Sequence, residues 1–389
     1  MIPYGHQEIN NEDINEVKKV LKSFFLTQGP TISKFEKAVA TYTGASYAVA
    51  VNSATSALHL ACIALDLGKN DYLWTSPNSF VASANCALYC NANVDFVDID
   101  PKTYNMSIEL LEKKLVSAKK NGKLPKIVMP VHFAGQPCDM ISIHKLSKRF
   151  KFKIIEDASH AIGSTYNKIK VGSCLHSDIT VFSFHPVKII TTGEGGIALT
   201  NNLKIKNRLS YLRTSGVTKS KSKMQYTPND EIWNYQQIEL GYNNRMTDIQ
   251  AALGLSQIKR LDNYIKKRHL IAKRYDKAFS KLPIKIPWQS PNIYSSYHLY
   301  PICINKTKCG KSQKQLYDFL LKKNIGVNIH YMPIYLHPFK NLKKFSRGYC
   351  KQAEDYFKST ISIPIFQGLS LKDQNKVIKL ITNFFYNGN

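Results

Sequence analysis

The sequence lacks both a long apolar run and an apolar leader. No stretch of the 389 residues approaches about 18 uncharged apolar residues, so we predict no membrane-spanning helix. The segment 1–17 is polar and acidic and has none of the features of a secretory signal. The eight cysteines form no CxxC pair, which argues against a zinc ribbon or a thioredoxin-type site. We therefore expect free thiols, no metal site and a cytoplasmic location.

Acidic residues are also scarce. Only 27 Asp and Glu oppose 54 Lys and Arg, giving a formal net charge of +27, and just eight of the basic residues are Arg. Arg contacts phosphates and base edges better than Lys because its guanidinium presents a planar fork of donors. A Lys excess spread along the chain indicates a solvated surface. A nucleic-acid-binding role depends on charge alone, and we predict weak non-specific binding at most.

Strand-like and helical segments alternate over the first half of the chain. The predicted strands are 47–51, 71–75, 94–98, 126–130, 153–157, 178–184 and 195–200. Between the first five lie predicted helices at 54–67, 82–89, 107–120 and 140–150. This alternation predicts an α/β fold with a mainly parallel sheet flanked by helices, and ligands on such sheets bind at the carboxyl ends of the strands.

The pattern changes after a long helix predicted from Thr247 through Tyr275. Beyond it, strand-like segments at 285–289, 295–304 and 324–334 are interspersed with short helical ones. We predict a large cofactor-binding domain with an N-terminal arm over residues 1–255. A smaller α+β domain is predicted over residues 256–389.

The segment VFSFHPVKIITTGEGG, residues 181–196, places a lysine just after a predicted strand. Lys188 has apolar neighbours, which suits a lowered pKa and a Schiff base with a carbonyl group. The glycines at 193, 195 and 196 let the backbone turn and approach another group closely. The chain is rich in lysine, so position alone leaves an ordinary surface lysine as an alternative.

Asp157 ends a predicted strand 31 residues before Lys188, followed by Ala-Ser-His. Its carboxylate could hold a proton on a pyridine nitrogen and so maintain an electron sink. The alternative is a helix cap or a loop turn. A histidine such as His160, taken alone, is more often structural than catalytic.

Small hydroxyl-bearing residues lie between the first predicted strand and the following helix, in the segment Asn52–Ala57. Exposed N–H groups and the positive end of the helix dipole would make this segment a phosphate cradle. Ordinary helix capping is the alternative. Phe80, after the next strand, could stack on a flat ring or belong to the core.

Several segments together resemble the DegT/DnrJ/StrS family of sugar aminotransferases, which are fold-type-I enzymes dependent on pyridoxal 5′-phosphate. The resemblance extends over essentially the whole chain. The segments that carry it are IPYGHQEI (2–9), LTQGP (26–30), NSATSALHLA (52–61), TSPNSFVASAN (75–85), EDASHAIGS (156–164), FSFHPVKIITTGEGG (182–196) and GYNNRMTDIQAALGLSQ (241–257).

The resemblance implies a catalytic pair. Lys188 corresponds to the lysine that forms the Schiff base with the cofactor. Asp157 corresponds to the carboxylate that pairs with the pyridine nitrogen. His160 falls where the family places a neighbour of the cofactor's phenolic oxygen.

The resemblance also implies residues that hold the cofactor. Ala54, Thr55 and Ser183 fall at phosphate-binding positions, and Phe80 falls where an aromatic ring covers the cofactor. Asn243 falls where a residue reaches the phosphate in the partner subunit. The resemblance therefore implies a homodimer with shared active sites.

Within the family, three segments resemble members that act in pseudaminic acid synthesis: 4–7, 26–30 and 327–334. Such members use L-glutamate to aminate C4 of a UDP-linked 4-keto-6-deoxy-N-acetyl-L-hexosamine. Two residues depart from that pattern, His6 where Arg is expected and Asn244 where an aromatic residue is expected.

Three residues are candidates for substrate contact: Tyr4, His330 and Tyr331. Packing at a domain interface is the alternative for each. The substrate could instead be the D-configured UDP-4-keto-6-deoxy-N-acetylglucosamine, toward bacillosamine, or another NDP-4-keto-6-deoxy sugar. A non-catalytic regulatory relative is a further alternative.

Overall fold

Short strands form the centre of the protein. The structure is a computed structural model, and it describes residues 1–225, 231 and 233–386. The strands are β1 (Tyr47–Val51), β2 (Tyr72–Thr75), β3 (Asn93–Phe96), β4 (Ile127–Met129), β5 (Lys153–Asp157), β6 (Thr165–Tyr166), β7 (Ile169–Lys170), β8 (Ile179–Ser183), β9 (Gly196–Thr200), β10 (Val217–Thr218), β11 (Gln236–Gln237), β12 (Ile284–Lys285), β13 (Ile293–Tyr294), β14 (Tyr300–Ile304) and β15 (Thr360–Ile363). Every residue of β8 and β9 is buried, which explains their continuous, mostly apolar sequences.

Helices surround these strands. They are α1 (Asn11–Leu21), α2 (Pro30–Thr43), α3 (Ala54–Ala64), α4 (Ala82–Tyr89), α5 (Ile108–Lys120), α6 (Met140–Phe150), α7 (Leu203–Leu212), α8 (Asp248–Ile258), α9 (Leu261–Phe279), α10 (Lys306–Cys309), α11 (Gln313–Lys322), α12 (Lys351–Phe357) and α13 (Leu371–Tyr386). Short 3₁₀ turns occur at Phe133–Gly135, Ile334–Leu336 and Lys340–Leu342. Among the described residues, no helix is both long enough and apolar enough to cross a membrane.

The main sheet has seven strands in the order β1-β9-β8-β5-β4-β2-β3. Neighbouring strands from β8 to β3 run parallel, whereas β9 is antiparallel to both β8 and β1. The predicted mainly parallel α/β sheet is confirmed. Its predicted strands agree with the observed ones to within two residues at each end.

Helices cover both faces of this sheet. Val181 and Phe182 are consecutive residues of β8, so their side chains point to opposite faces. Val181 belongs to a core that includes Leu58 of α3, whereas Phe182 packs in a core with Phe35 of α2. The sheet is therefore a buried middle layer, and the ends of its strands are free to carry functional groups.

A separate three-stranded sheet, β12-β14-β15, lies in the C-terminal part of the chain. It shares a core with α9, α11 and α13 that includes Tyr275, Leu316 and Val377. Ile2 joins the same core and bridges to Ile325, which anchors the start of the chain there. The boundary between residues 255 and 256 stays a prediction.

The prediction of one long helix through Thr247–Tyr275 is wrong, because the helix breaks between α8 and α9. Arg260 stands at the break with φ −105° and ψ 1°. Its guanidinium donates to both carboxylate oxygens of the buried Asp13, at 2.7 and 2.6 Å. This ion pair connects the break to α1. Because Asp13 is far from Arg260 in sequence, local periodicity could not reveal the break.

Candidate active site

A cavity of about 1000 Å³ opens where β5 and β8 end. Ten of the predicted site residues line it: Tyr4, Ala54, Thr55, Phe80, Asp157, His160, Ser183, Lys188, His330 and Tyr331. This location agrees with the general rule that ligands of parallel sheets bind at the carboxyl ends of the strands. The structure therefore brings these ten residues, which come from both ends of the chain, together at one cavity.

Lys188 lies in the turn that follows β8. Its backbone N–H donates to the His185 carbonyl oxygen at 2.9 Å, which fixes the turn. Burial lowers the pKa of the Lys188 amine to about 8, while the nearby Asp157 carboxylate acts in the opposite direction. The side chain also faces the open cavity. A substantial fraction of the amine is therefore neutral near physiological pH, as a nucleophile or a base requires.

Asp157 is 4% exposed, and both of its carboxylate oxygens accept hydrogen bonds. Ser83 Oγ donates to Oδ2 at 2.6 Å, and Ser159 Oγ donates to Oδ1 at 2.6 Å. Ser159 N–H also donates to Oδ1 at 3.2 Å, so the predicted alternative, a loop turn, is present as well. The two serines orient the carboxylate at the cavity wall.

His160 is buried, and the donors around it indicate its protonation state. The Ala134 N–H donates to Nδ1 at 3.3 Å, and Nε2 lies 3.2 Å from the Tyr331 hydroxyl oxygen. Burial, with a further contribution from the charge of Lys188, lowers the pKa of His160 well below its ordinary value. The imidazole is therefore neutral, with its proton on Nε2.

The N-terminus of α3 faces the cavity. Ser53 caps the helix by accepting from the Ser56 N–H at 3.1 Å, so the predicted alternative of ordinary capping is present. Gly196 of β9 packs against the helix start, where an added Cβ would lie 2.4 Å from the Ala54 nitrogen. Close approach of helix and strand thus places Ala54, Thr55 and Ser183 on one wall. Helix N–H groups and hydroxyls of this kind suit a phosphate.

Aromatic and histidine rings also line the cavity. Phe80 is 59% exposed, so the core alternative does not apply to it. The rings of Tyr4 and His330 lie 5.4 Å apart. Burial lowers the pKa of His330 to about 3, with a further contribution from Lys188. His330 is therefore neutral, and its Nδ1 lies 2.8 Å from the Ser362 hydroxyl.

Asn243, unlike the other predicted site residues, does not line the cavity. It is exposed, forms an antiparallel bridge with Thr214 and is absent from the cavity lining of this chain. An exposed position fits a contact with another subunit. The role in a partner's site stays a prediction.

Sequence reasoning missed the serines that hold Asp157. Ser79 Oγ and Ser83 Oγ lie 2.7 Å apart, and Ser83 continues the chain of hydrogen bonds to Asp157. Asn78 Oδ1 accepts from the Tyr331 N–H at 3.3 Å, which links the same segment to the other side of the cavity. The signal available was the i, i+4 spacing of the two serines within TSPNSFVASAN.

Comparison with known proteins identifies the family. Residues 7–382 match the DegT/DnrJ/EryC1/StrS aminotransferase family. The chain belongs to this family. It is an aminotransferase, and its cofactor is pyridoxal 5′-phosphate. The family and cofactor implied by the resemblance are confirmed.

Three known proteins show how far the likeness extends. A UDP-4-amino-4,6-dideoxy-N-acetyl-beta-L-altrosamine transaminase of Campylobacter jejuni is 40% identical over 378 residues, covering 96% of this chain and 94% of the relative. The structure of Helicobacter pylori PseC, an aminotransferase of pseudaminic acid biosynthesis, superposes with a TM-score of 0.90, at 31% identity and full coverage of both chains. A putative sugar aminotransferase of Streptococcus pneumoniae, Spr1654, reaches a TM-score of 0.87 at 28% identity, with 98% of each chain covered.

Proposed function

We propose that this enzyme transfers the amino group of L-glutamate to C4 of a UDP-linked 4-keto-6-deoxy-N-acetyl-L-hexosamine, a step of pseudaminic acid biosynthesis. The names of the Campylobacter and Helicobacter relatives support the choice of sugar. The observation that carries the transamination chemistry is the meeting of Lys188 and Asp157 at one cavity.

We assign the cofactor-holding residues from the fit of the cavity to pyridoxal phosphate. The start of α3 at Ala54 and Thr55, together with Ser183, would hold the phosphate. Asp157 would keep the ring nitrogen protonated, and Lys188 would bind the aldehyde carbon. When bound, the cofactor supplies a ring that withdraws electrons and stabilises negative charge on the carbon next to the nitrogen.

Phe80 and His160 complete this assignment. Phe80, exposed to the cavity, would cover one face of the ring. His160 would donate from Nε2 near the phenolic oxygen.

Lys188 also serves as the acid–base group. Its neutral amine would accept the proton from the α-carbon of glutamate and deliver it to the cofactor. In the second half of the reaction it would move a proton in the reverse sense, from the cofactor to C4 of the sugar. Because one lysine serves both halves, we expect ping-pong kinetics, with 2-oxoglutarate leaving before the keto-sugar binds.

The charge of the cavity supports shared active sites in a homodimer. Among the described residues that line it, Lys188 is the only lysine or arginine. A nucleotide diphosphate and a cofactor phosphate need more positive charge and more donors than this chain supplies. We assign Asn243 of each subunit to the phosphate of its partner's site, since it is exposed and lies outside its own cavity.

Two smaller assignments accompany the function. We place the reaction in the cytoplasm, since all eight cysteines are free thiols. We also retain the division into a large domain (1–255) and a small domain (256–389), because the C-terminal sheet has its own core.

The test is a side-by-side assay of the L-configured and the D-configured keto-sugar with glutamate, at equal enzyme concentration. Faster amination of the L-sugar, measured as kcat/KM, is the expected result. Faster amination of the D-sugar would replace the proposal by the bacillosamine-type reaction. Amination of neither sugar, by enzyme that releases 2-oxoglutarate from glutamate, would exclude both sugars and leave the aminotransferase chemistry intact.

A further inference from the structure

A buried segment outside the cavity lining packs against His160. This segment, residues 295–299, is called the strap. The Ser296 hydroxyl donates to the His160 carbonyl oxygen at 2.7 Å. The His298 ring lies 4.3 Å from the His160 ring at an interplanar angle of 42°, and His298 is only 4% exposed. The strap therefore contacts both the backbone and the ring of His160.

The turn at Phe133–Gly135 completes the enclosure. Ala134 adopts a left-handed conformation, with φ of 57°, and its N–H donates to His160 Nδ1. Gly135 follows with φ of 98°, and a Cβ at that position would lie 2.4 Å from the Ser296 hydroxyl oxygen. Because Gly135 has no Cβ, the strap can lie against this turn while the Ala134 N–H donates to the imidazole.

A buried arginine holds the strap in place. Arg268 of α9 is 1% exposed and donates to the carbonyl oxygens of Tyr297, at 3.1 Å, and His298, at 3.3 Å. It also donates to the Ile365 carbonyl oxygen at 3.0 Å. These bonds tie three separate segments together. The strap is thereby fixed to α9.

These contacts determine which nitrogen of His160 carries the proton. A backbone N–H can only donate, so Nδ1 must be the acceptor and Nε2 must carry the hydrogen in a neutral ring. The ionisable groups facing His160 are Lys188, His330 and Tyr331 from the cavity, and His298 from the strap. The positive charge of Lys188 opposes a second proton on the ring, and the cover provided by the strap excludes water.

We propose that His298 is a positioning residue for the reaction: its ring, held by the strap and Arg268, covers one face of His160 and keeps that imidazole neutral, while the Ala134 N–H fixes the remaining proton on Nε2, toward Tyr331. The use of His160 in catalysis depends on the proposed function. The protonation state that His298 imposes does not.

His298 has an unpaired ring nitrogen, so the effect of the shape of its ring can be tested separately from the effect of its polarity. Its Nδ1 is buried and has no hydrogen-bond partner among the described residues. A phenyl ring would cover His160 equally well without that unpaired group. His298→Phe should therefore preserve the state of His160, whereas His298→Ala should admit water beside the ring.

The experiment is histidine nitrogen NMR on the cofactor-free protein, with a His160→Gln variant to assign the signal. In the native chain and in His298→Phe we expect one protonated and one bare nitrogen, unchanged through the range around pH 6.5 where a free imidazole titrates. In His298→Ala we expect His160 to titrate near that ordinary value, because water would reach the uncovered face of its ring. His144→Ala, which removes a ring 5.5 Å from that of His176 and outside both the strap and the cavity lining, is the control and should leave the signal unchanged.

A second measurement links this state to the reaction. In the glutamate half-reaction, His298→Ala should lose rate toward acidic pH, about tenfold one pH unit below the titration of His160, because His160 becomes cationic there. His298→Leu keeps apolar volume without a ring, and it should show a smaller shift in the same direction. This variant also provides the test if the alanine variant fails to fold.

Two results would overturn the proposal. One is a His298→Ala protein whose His160 signal is native while its melting temperature falls, since His298 would then only stabilise the fold. The other is a His298→Phe protein whose His160 titrates as in His298→Ala, since covering the His160 ring would then not be enough to keep it neutral. Because the NMR result needs neither sugar, an enzyme that aminates neither keto-sugar but shows the expected His160 states would contradict only the proposed function.

Discussion

The floor and the rim of the cavity are built in different ways. The floor consists of residues at the ends of strands, at the start of α3 and in the turn after β8: Ala54, Thr55, Asp157, Ser183 and Lys188. The rim consists of Tyr4, His330 and Tyr331, which lie outside the regular elements. The sheet positions the floor through backbone hydrogen bonds, whereas the rim depends on contacts between remote segments.

This difference separates chemistry from recognition. A rigid sheet can hold reacting groups to the small tolerances that catalysis needs. Irregular segments can vary without disturbing the sheet, so they are suited to discriminating among substrates. We therefore expect floor variants to lower kcat and rim variants to raise KM for the sugar.

The largest effect should come from removing the floor lysine. Lys188→Ala removes the residue proposed as both nucleophile and acid–base group, so we expect kcat to fall by about four orders of magnitude or more. Stopped-flow absorbance of the glutamate half-reaction measures this loss. Lys153→Ala, at the opposite end of β5, is the control and should keep native turnover. Normal turnover in Lys188→Ala would place the chemistry elsewhere.

Asp157→Asn should have the next largest effect. The amide keeps the size of the side chain but cannot hold a proton on the ring nitrogen, so we expect kcat to fall on the order of 10²- to 10³-fold. Cofactor titration of the variant separates lost chemistry from lost binding. Ser83→Ala, which removes one donor to the carboxylate, should cost less than Asp157→Asn. A larger loss of kcat in Ser83→Ala than in Asp157→Asn would contradict the supporting role of Ser83.

Gly196→Ala tests the join between β9 and α3. The added Cβ would lie 2.4 Å from the Ala54 nitrogen, which is backbone and cannot move aside cheaply. We expect unfolding free energy to fall by about 1–3 kcal/mol and phosphate affinity to fall with it. Gly68→Ala has no neighbour within 4 Å of the added atom and serves as the control in chemical denaturation. Equal effects of the two variants would show that close approach is not required.

Tyr331→Phe probes the rim and should have a smaller effect. It removes the hydroxyl group 3.2 Å from His160 Nε2, so we expect KM for the keto-sugar to rise up to about tenfold. We expect kcat to change less than KM. Tyr349→Phe, a tyrosine outside the cavity lining, provides the control in steady-state kinetics. A loss confined to kcat would contradict the assignment of Tyr331 to substrate recognition.

The same division explains what could be predicted from sequence. Asp157 ends one short strand and Lys188 follows another, so local pattern and family resemblance both locate them. Ser83 lies 74 residues from Asp157, and no local pattern connects them. The break between α8 and α9 escaped prediction because it depends on the pairing of Arg260 with a residue 247 positions away. Regular elements are encoded locally, whereas their joins depend on tertiary contacts.

The smallest effect concerns the pH dependence within the floor. Burial lowers the pKa of Lys188 to about 8, so the neutral amine fraction rises as pH rises through that value. Capture of pyridoxal phosphate by the cofactor-free protein should therefore be about fivefold faster at pH 8 than at pH 7, as absorbance of the bound cofactor would record. Asp157→Asn removes the charge that opposes this lowering, so its midpoint should fall below that of the native protein. Tyr331→Phe should leave the midpoint in place. A native midpoint near the ordinary lysine value would contradict the burial of this amine as the cause of its reactivity.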